Sequence, residues 1–329
     1  MKMEKTLANG MPYASNKVGF GIYHFGQAGR DARGFRDNNY FAHSGYDREM
    51  CDYQENLDYM NFYIYRMDRS DHDHLRRIKE MGCVTWVYYF PMVMVEIKGK
   101  KSWQLKAGWK DEIEKLVEDT KKAGLWDVIA GFQYDEPMLH VDVDVFEEFS
   151  EYMAKFGKRQ MALFSMYEIR EGTHPKAGDP EFGMLDHVIT PRSCRFLTDV
   201  GFDWYSHADY DVFDAYLDEL IAMMGRDNFY IWHVPCTWTR YNDPNANEEF
   251  CLKNLNVLYK LLMARKNPGG LFCYTWHSWR SNESLDWLFD PKNPNRWNKL
   301  EERMIEIGRE VREIELNELD LYSHLKDYE

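Results

Sequence analysis

A unit that repeats along the chain limits its possible folds more than any other feature: an amphipathic helix pattern, then a glycine, then a short apolar run. The runs CVTWVYYF and LWDVIAGFQY directly follow Gly82 and Gly124, and two residues separate QMALFSM from Gly157 and NFYIWHV from Gly225. Glycine suits the position after a helix end, where the backbone is left-handed. The runs are rich in Val, Ile, Tyr, Phe and Trp without clean alternation, which is typical of strands buried on both faces. The pattern therefore predicts parallel strands covered by helices.

Counting these runs gives eight predicted strands, the number that closes a (β/α)8 TIM barrel of the α/β class. They are Val18–His24, Tyr59–Tyr65, Cys83–Tyr89, Asp127–Tyr134, Gln160–Ser165, Phe202–Tyr205, Asn228–Val234 and Leu271–Trp276. A ninth run, His187–Thr190, competes for the sixth position. We take Phe202–Tyr205 as the sixth strand because Gly201 precedes it and a helix pattern follows. A doubly wound open sheet is the alternative fold.

The length and composition fit one domain. The chain has 329 residues, of which 44% are hydrophobic and 29% charged, and single α/β barrels reach this size. We expect residues 1–329 to form a single TIM-barrel domain. A charged helical tail over about 296–329 should pack on the barrel or on a partner subunit of a homo-oligomer. Its apolar side consists of Leu300, Met304, Ile307 and Val311.

The net charge and the amino end limit the partners and the compartment. A formal charge of −14 argues against a nucleic-acid partner or an acidic membrane surface, because both are negatively charged. The first residues lack the apolar segment of a signal peptide, and the longest apolar-rich run, Val84–Val95, is too short to span a bilayer. The six cysteines include no CxxC pair. We therefore expect a cytoplasmic protein without a cofactor.

Residues that follow the predicted strands are the candidates for chemistry, because active sites of barrels lie at the carboxyl ends of the strands. Several acids lie there, including Asp68 after the second strand and Glu168 after the fifth. The candidate catalytic acids are Asp135 and Glu136 after the fourth strand and Asp209 after the sixth. The candidate substrate contacts are His24, Tyr134, His207, His233, Trp238, Trp276, His277 and Trp279. Carboxyl, imidazole and indole groups suit protonation of a leaving oxygen and stacking on a sugar ring.

The sharpest motif is GFQYDEP at 131–137. Two adjacent acids at the end of a buried strand must be solvated, paired or functional, because burying a bare carboxylate is costly. Successive strand side chains point in opposite directions, so Asp135 and Glu136 cannot both face the barrel axis. One of the two should be catalytic and the other supporting. The alternative is that both acids bind backbone amides where the next loop starts.

This motif resembles one in the retaining glycoside hydrolases of the large β/α-barrel clan. Those enzymes end strand four with Asn-Glu-Pro, in which the Glu is the general acid/base, and place an aromatic residue at the end of strand eight. Asp135-Glu136-Pro137 and Trp276 are similar to these two features. The resemblance implies a glycosidase with a carbohydrate substrate, with Glu136 as general acid/base and Asp135 assisting. The clan's nucleophile, a Glu ending strand seven, has no counterpart here, where His233 stands.

Two arrangements would replace the missing nucleophile of strand seven. In the first, another acid faces Glu136, with Asp209 as the leading candidate and Asp203, Asp211 and Glu283 behind it. A carboxyl separation of roughly 5–5.5 Å would imply retention, and one of roughly 6.5–9.5 Å inversion. In the second, the Asp-Glu pair resembles the substrate-assisted hexosaminidases, in which the Asp orients the substrate's acetamido group. The Gly-Gly that precedes the pair in one such family is absent.

Two other functions stay open. Asp71-His72-Asp73-His74 contains the His-x-His pattern of barrel metallohydrolases, but it begins a helix after strand two instead of ending strand one. A solvated capping turn explains it, so we predict no metal site while keeping a metal-dependent hydrolase as a rival. The missing strand-seven acid favours the other rival, a barrel that binds carbohydrate without cleaving it.

Overall fold

The computed structural model describes residues 11–22, 58–65, 72–95, 102–169, 188–239, 246–275, 284–320 and 322–328. Eight strands of these ranges form one sheet: β1 (Gly19–Ile22), β2 (Phe62–Tyr65), β3 (Val84–Val87), β4 (Ile129–Asp135), β5 (Arg159–Ser165), β6 (Asp199–Asp203), β7 (Tyr230–Val234) and β8 (Pro268–Cys273). Their order is β1-β8-β7-β6-β5-β4-β3-β2, and neighbouring strands pair in parallel. The predicted α/β class with a parallel sheet is confirmed.

Helices connect most of these strands. They are α1 (His72–Glu80), α2 (Phe90–Val93), α3 (Trp109–Lys122), α4 (Pro137–His140), α5 (Val143–Ala154), α6 (Tyr210–Met224), α7 (Glu248–Ala264), α8 (Leu285–Leu288) and α9 (Asn298–Val311). Two short strands, Met94–Val95 and Gln104–Leu105, form a separate antiparallel pair. The glycines predicted to end helices, Gly82, Gly124, Gly157 and Gly225, have φ values of 66° to 73°. No helix in the described ranges is long and apolar enough to cross a membrane.

The two ends of the strand order, β1 and β2, lie side by side. Asn61, just before β2, donates its backbone N–H to the Phe20 carbonyl (3.0 Å). Its side chain accepts from the Phe20 N–H (2.8 Å) and donates to the Val18 carbonyl (2.9 Å). The ring of Phe62 in β2 also meets that of Trp232 in β7 edge-to-face, with centroids 5.0 Å apart. The sheet is therefore curled around an inner face.

The strands separate two apolar cores. The inner core consists largely of side chains from five strands: Phe62, Val84, Trp86, Met161, Leu163, Tyr230, Trp232, Val234 and Phe272. The outer core lies between the strands and the helices and contains, for example, Phe132, Ala162 and Ile231. Because strand side chains alternate in direction, each strand residue belongs to one side or the other. This alternation decides which side chains near a strand end can reach the same space.

The sixth strand lies earlier in the chain than predicted. It spans Asp199–Asp203 instead of Phe202–Tyr205, and residues 188–190 form no strand. The prediction took Gly201 as a residue between a helix and a strand. It lies inside β6, where a Cβ would come within 2.5 Å of the Trp232 carbonyl oxygen, so glycine is needed for the close approach of β7. The corrected bounds place Asp203 at the end of the strand.

The carboxyl-terminal part of the chain packs on the sheet. The predicted apolar side of α9 is buried: Leu300, Met304, Ile307 and Val311. Beyond the helix, the carbonyl of Ile314 accepts from the Val18 N–H (2.9 Å) and that of Asn317 accepts from the Tyr230 hydroxyl (2.5 Å). Val18 and Tyr230 lie at the amino ends of β1 and β7, so this segment covers that end of the sheet. The single domain over residues 1–329 stays a prediction.

Candidate active site

Glu136 follows β4 directly and has an unusual backbone conformation. Its φ of 43° and ψ of 51° lie in the left-handed region, which costs an L-residue about 1–2 kcal/mol. Its N–H donates to the Leu163 carbonyl in β5 (2.9 Å), and its carbonyl accepts from the Leu139 N–H (3.1 Å). These bonds hold the chain between β4 and α4 in place. A strained residue held in this way is a candidate for function.

Four carboxyl groups from the ends of three neighbouring strands lie close together: Asp135, Glu136, Glu168 and Asp203, here called the acidic cluster. Burial raises the pKa of Glu136 well above its usual range, and the charges of Asp203, Asp135 and Glu168 raise it further. The hydroxyl group of Ser165 forms a hydrogen bond with the Glu136 carboxyl group and lowers this pKa. A carboxyl group that keeps its proton near neutral pH can act as a general acid.

Asp203 ends β6 and is half-buried. In the sheet it is the register partner of Ser165, whose side chain bonds to Glu136. The Tyr205 hydroxyl donates to Asp203 Oδ2 at 2.8 Å. Of the three neighbouring carboxyl groups, that of Asp203 raises the pKa of Glu136 most. Asp203 is therefore the carboxyl group of the cluster that acts most strongly on Glu136.

Asp135 is the last residue of β4 and is half-buried. It lies on the same side of the strand as Gln133, since both are an even number of residues from Gly131. The Gln133 side-chain amide donates to Asp135 Oδ1 at 3.4 Å. A Cβ on Gly131 would meet the Trp86 ring of the inner core. By this alternation, the Asp135 side chain lies on the inner face of the sheet, next to Glu136 in the chain.

Glu168 is fully buried, and both of its carboxyl oxygens accept backbone hydrogen bonds. Oε2 accepts from the Ser165 N–H (2.5 Å) and Oε1 from the Met138 N–H (2.6 Å). Burial raises the pKa of Glu168, and the two backbone bonds partly oppose this. Sequence reasoning placed Glu168 after the fifth strand but did not select it as a site residue. The Ser-x-x-Glu spacing of a capping box, Ser165 to Glu168, is the signal that could have found it.

Three half-buried aromatic side chains lie beside Asp203 and form what we call the aromatic wall: Tyr205, Trp238 and Tyr274. The rings of Tyr205 and Tyr274 stack with centroids 5.2 Å apart and an interplanar angle of 29°. The Trp238 ring stands edge-on to both, at 6.0 and 5.8 Å. The sequence singled out Trp238 but not the two tyrosines. Rings of this kind can stack on a sugar.

Two predicted substrate contacts lie in the outer core. Tyr134 is buried against Phe146 and Phe149, and its hydroxyl donates to the Gln160 side chain (2.5 Å). The His233 ring is completely buried, and its nitrogens have no hydrogen-bond partner among the described residues. Burial lowers the pKa of His233 to about 3. Both side chains alternate with inner-face neighbours, so they point toward the helices and away from the acidic cluster.

The two candidates after strand six, Asp209 and His207, do not join the acidic cluster. Asp209 is exposed and caps α6, where its carboxyl group accepts from the N–H groups of Asp211 (3.0 Å) and Val212 (3.3 Å). The His207 ring packs on that of Trp204, with centroids 3.9 Å apart. The shift of β6 toward the amino end explains why Asp203, and not Asp209, ends the strand.

Several predicted residues cannot be placed. His24, Trp276, His277, Trp279 and Glu283 lie outside the described residues. Of the His-x-His motif, His72 begins α1 and Asp73 pairs with Arg76. Within the described ranges, no three His, Cys, Asp or Glu side chains are arranged so that they could hold a metal ion.

Comparisons with known proteins give structural likenesses only. No model of a protein family and no curated protein matches the sequence. Among solved structures, a protein assigned as an alpha-L-fucosidase from Bacteroides thetaiotaomicron is 10% identical with a TM-score of 0.49, covering 94% of this chain and 98% of that one. A beta-galacturonidase from Eisenbergiella tayi is 11% identical with a TM-score of 0.49, covering 79% of this chain and 48% of that one.

A beta-glucuronidase from Ruminococcus gnavus is 12% identical with a TM-score of 0.44, covering 80% of this chain and 46% of that one. The chain thus spans about half the length of these two uronidases. At such identities and TM-scores, the likenesses assign no activity to this chain.

Proposed function

We propose that the chain is a (β/α)8-barrel glycoside hydrolase that cleaves an O-glycosidic bond, with Glu136 as general acid/base and Asp203 as the second carboxylate. One observation carries the proposal: Glu136, held in a left-handed conformation directly after β4, is buried near the carboxyl group of Asp203 at the end of β6, and both effects raise its pKa. A carboxyl group that keeps its proton, with a second carboxyl group beside it, is the arrangement that glycoside hydrolysis needs.

In the proposed reaction, Glu136 gives its proton to the glycosidic oxygen while the bond between this oxygen and C1 breaks. The leaving group departs as a neutral alcohol, and the carboxylate of Asp203 stabilises the positive charge that develops on the sugar ring. Two routes complete the reaction. Asp203 bonds to C1 and is displaced by water that Glu136 deprotonates, or Asp203 accepts a proton from water that attacks C1 directly.

Asp203 takes the role first assigned to Asp209 because the Asp209 carboxyl group is exposed and bonded to the amino end of α6. Glu168 is unsuited to it because both of its oxygens are occupied by backbone N–H groups. Asp135 fits a supporting role beside Glu136. In a substrate-assisted reaction, Asp135 would instead orient an acetamido group of the substrate.

The surroundings of the acidic cluster favour a neutral or cationic sugar. Four carboxyl groups in one place repel an anionic substrate. The aromatic wall supplies rings on which the apolar face of a sugar can stack, and the hydrogen bond from Tyr205 to Asp203 joins this wall to the acids. A carbohydrate is therefore the proposed substrate class.

The proposal is tested by assaying wild type, Glu136→Gln and Asp203→Asn with a panel of aryl glycosides and oligosaccharides, including N-acetylated ones. On oligosaccharides and other substrates whose leaving group needs a proton, each variant should lower kcat/KM by about 10²–10⁴-fold. Asp209→Asn is the matched control, an acid removed outside the cluster, and should keep full activity. Proton NMR of the first anomer released then separates retention from inversion.

Other outcomes would replace the proposal. Binding of sugars without turnover, in the wild type and in Glu136→Gln alike, would identify a non-catalytic carbohydrate-binding barrel. Turnover that a chelator abolishes and that Glu136→Gln leaves intact would favour the metal-dependent hydrolase. Cleavage of N-acetylated sugars alone, lost in Asp135→Asn but kept in Asp203→Asn, would indicate substrate assistance.

A further inference from the structure

The 3-10 turn after β5, Met166–Glu168, begins with a capping box. The Ser165 hydroxyl accepts from the Tyr167 N–H (3.2 Å), and the Glu168 carboxyl group accepts from the Ser165 N–H (2.5 Å). In a capping box these bonds satisfy backbone groups of the turn itself. Here the Glu168 side chain also has a partner outside the turn, on the segment that carries Glu136.

The outside partner of Glu168 is the backbone N–H of Met138, at 2.6 Å. Met138 is two residues beyond Glu136, in the first turn of α4. On the other side, the Glu136 N–H is bonded to the Leu163 carbonyl of β5. Both flanks of the left-handed residue are thus tied to β5 and the turn after it, so its backbone cannot relax without breaking a buried hydrogen bond.

Ser165 forms the other end of the capping box: it ends β5, in register with Asp203 of β6, and its hydroxyl group lowers the pKa of Glu136. A hydroxyl donor favours the charged form of a carboxyl group, whereas a neighbouring carboxylate favours the neutral form. The two ends of the capping box therefore act on the Glu136 proton in opposite directions. Ser165 lowers the pKa of Glu136, and the charge of Glu168 raises it.

We propose that Ser165 and Glu168 are positioning residues that together hold the Glu136 carboxyl group in its reacting orientation. Glu168 fixes the backbone on which this group stands through the Met138 N–H, and Ser165 anchors Glu168 through its own backbone N–H. Glu168 is completely buried and has both oxygens on backbone N–H groups, so it acts through Glu136 and not on a substrate. The inference rests on the proposed role of Glu136 as general acid/base.

A direct titration of Glu136 tests this. The protein is labelled with carbon-13 at the glutamate side-chain carboxyl carbons, and the Glu136 signal is assigned by its absence in Glu136→Gln. The pKa of Glu136 should be lower in Glu168→Gln than in wild type and higher in Ser165→Ala. Asp209→Ala, which removes the cap of a helix outside the site, should leave it unchanged.

Opposite shifts separate positioning from a purely structural role. If the capping box only stabilised its turn, both variants would leave the Glu136 titration unchanged or move it in the same direction, and either result would overturn the inference. If Glu168→Gln fails to fold, Ser165→Ala decides alone, because an unchanged or lowered pKa of Glu136 contradicts the proposal.

Kinetics add a second readout on any glycoside that the wild type cleaves. Glu168→Gln should lower kcat by up to about 100-fold, as expected for a misplaced reacting group, with little change in KM. The alkaline limb of its pH profile should move toward lower pH. The titration needs no substrate, so the two proposals can fail separately. A wild type without turnover would overturn only the proposed function. An unchanged Glu136 pKa in the variants would overturn only this inference.

Discussion

Acidic side chains have opposite surroundings at the two ends of the curled sheet. At the amino ends of β5 and β6, the buried Asp199 accepts hydrogen bonds from Arg159 Nε (2.9 Å), Trp232 Nε1 (2.6 Å) and Thr198 Oγ1 (2.7 Å). The Arg159 guanidinium group also lies over the Tyr230 ring, 4.1 Å from its centroid. At the carboxyl ends of the same strands, Glu136 is buried near the other carboxyl groups of the acidic cluster, which raise its pKa.

This difference shows which acids serve the fold and which need a functional explanation. Asp199 has a cationic partner and several donors, so its charge is compensated where it is buried. Glu136 is buried beside three other carboxyl groups that raise its pKa, an arrangement that costs stability and is common at active sites. Acidic residues thus have compensated charges at one end of the sheet, whereas at the other end they form the candidate active site.

The largest expected effect on stability lies at the amino ends of the strands. Asp199→Ala leaves the Arg159 charge largely buried without its partner and should lower the free energy of unfolding by about 3 kcal/mol. The folded variant should keep the wild-type kcat. Urea unfolding followed by circular dichroism measures the loss. The double variant Arg159→Met, Asp199→Leu is the control and should recover most of it. A loss below about 1 kcal/mol, the range of a surface ion pair, would contradict a structural role for this pair.

Tyr205→Phe should affect activity and leave the fold intact. The variant removes the hydroxyl group that donates to Asp203, and hydrogen bonds to charged groups contribute about 1.5–3 kcal/mol. We expect kcat/KM to fall about tenfold or more. The matched control is Tyr152→Phe, which removes a tyrosine–carboxylate bond of 2.7 Å to Glu114 on the outer surface. Equal activity of both variants would mean that the bond to Asp203 plays no part in the reaction.

A smaller effect concerns the pH dependence of stability. The pKa of Glu136 is higher in the folded protein than in the unfolded chain, so over the interval between these values the unfolded chain has released a proton that the folded protein retains. Wild-type stability therefore falls as pH rises through that interval. Gln cannot titrate, so Glu136→Gln should be more stable than wild type at pH 8, by about 1 kcal/mol.

At pH 4 the unfolded chain also holds most of this proton, so the advantage of Glu136→Gln should largely vanish. Thermal unfolding of both proteins at several pH values measures the difference. A constant difference between pH 4 and pH 8 would show that Glu136 titrates normally in the folded protein and would remove the contrast between the two ends of the sheet.

Local sequence patterns predicted the framework and one part of the site. Helix-ending glycines and apolar runs located the eight strands, and GFQYDEP located Asp135 and Glu136 at the end of β4. These features depend on residues that are close in sequence. The boundary error at β6 arose because Gly201 serves a close approach to β7, a long-range contact that no local pattern reveals.

Local patterns could not identify the remaining site residues, because they do not show which way a strand side chain points or which residues distant in sequence come into contact. Apolar runs buried on both faces do not show which alternate residues face inward, so Tyr134 and His233 were assigned to the site although their side chains point to the helices. The partners of Glu136, namely Ser165 and Asp203, come from strands 29 and more residues away in the chain. Only the folded sheet brings them together.

Dependence on the leaving group tests the role of Glu136 most directly. Wild type and Glu136→Gln are compared on aryl and alkyl glycosides of one cleaved sugar, chosen so that the leaving alcohols span a wide range of acidity. If Glu136 is the general acid, the variant should cleave dinitrophenyl glycosides within about tenfold of the wild-type rate and lose about 10³-fold on alkyl glycosides, which need a proton to depart. An equal loss on every leaving group would contradict this role.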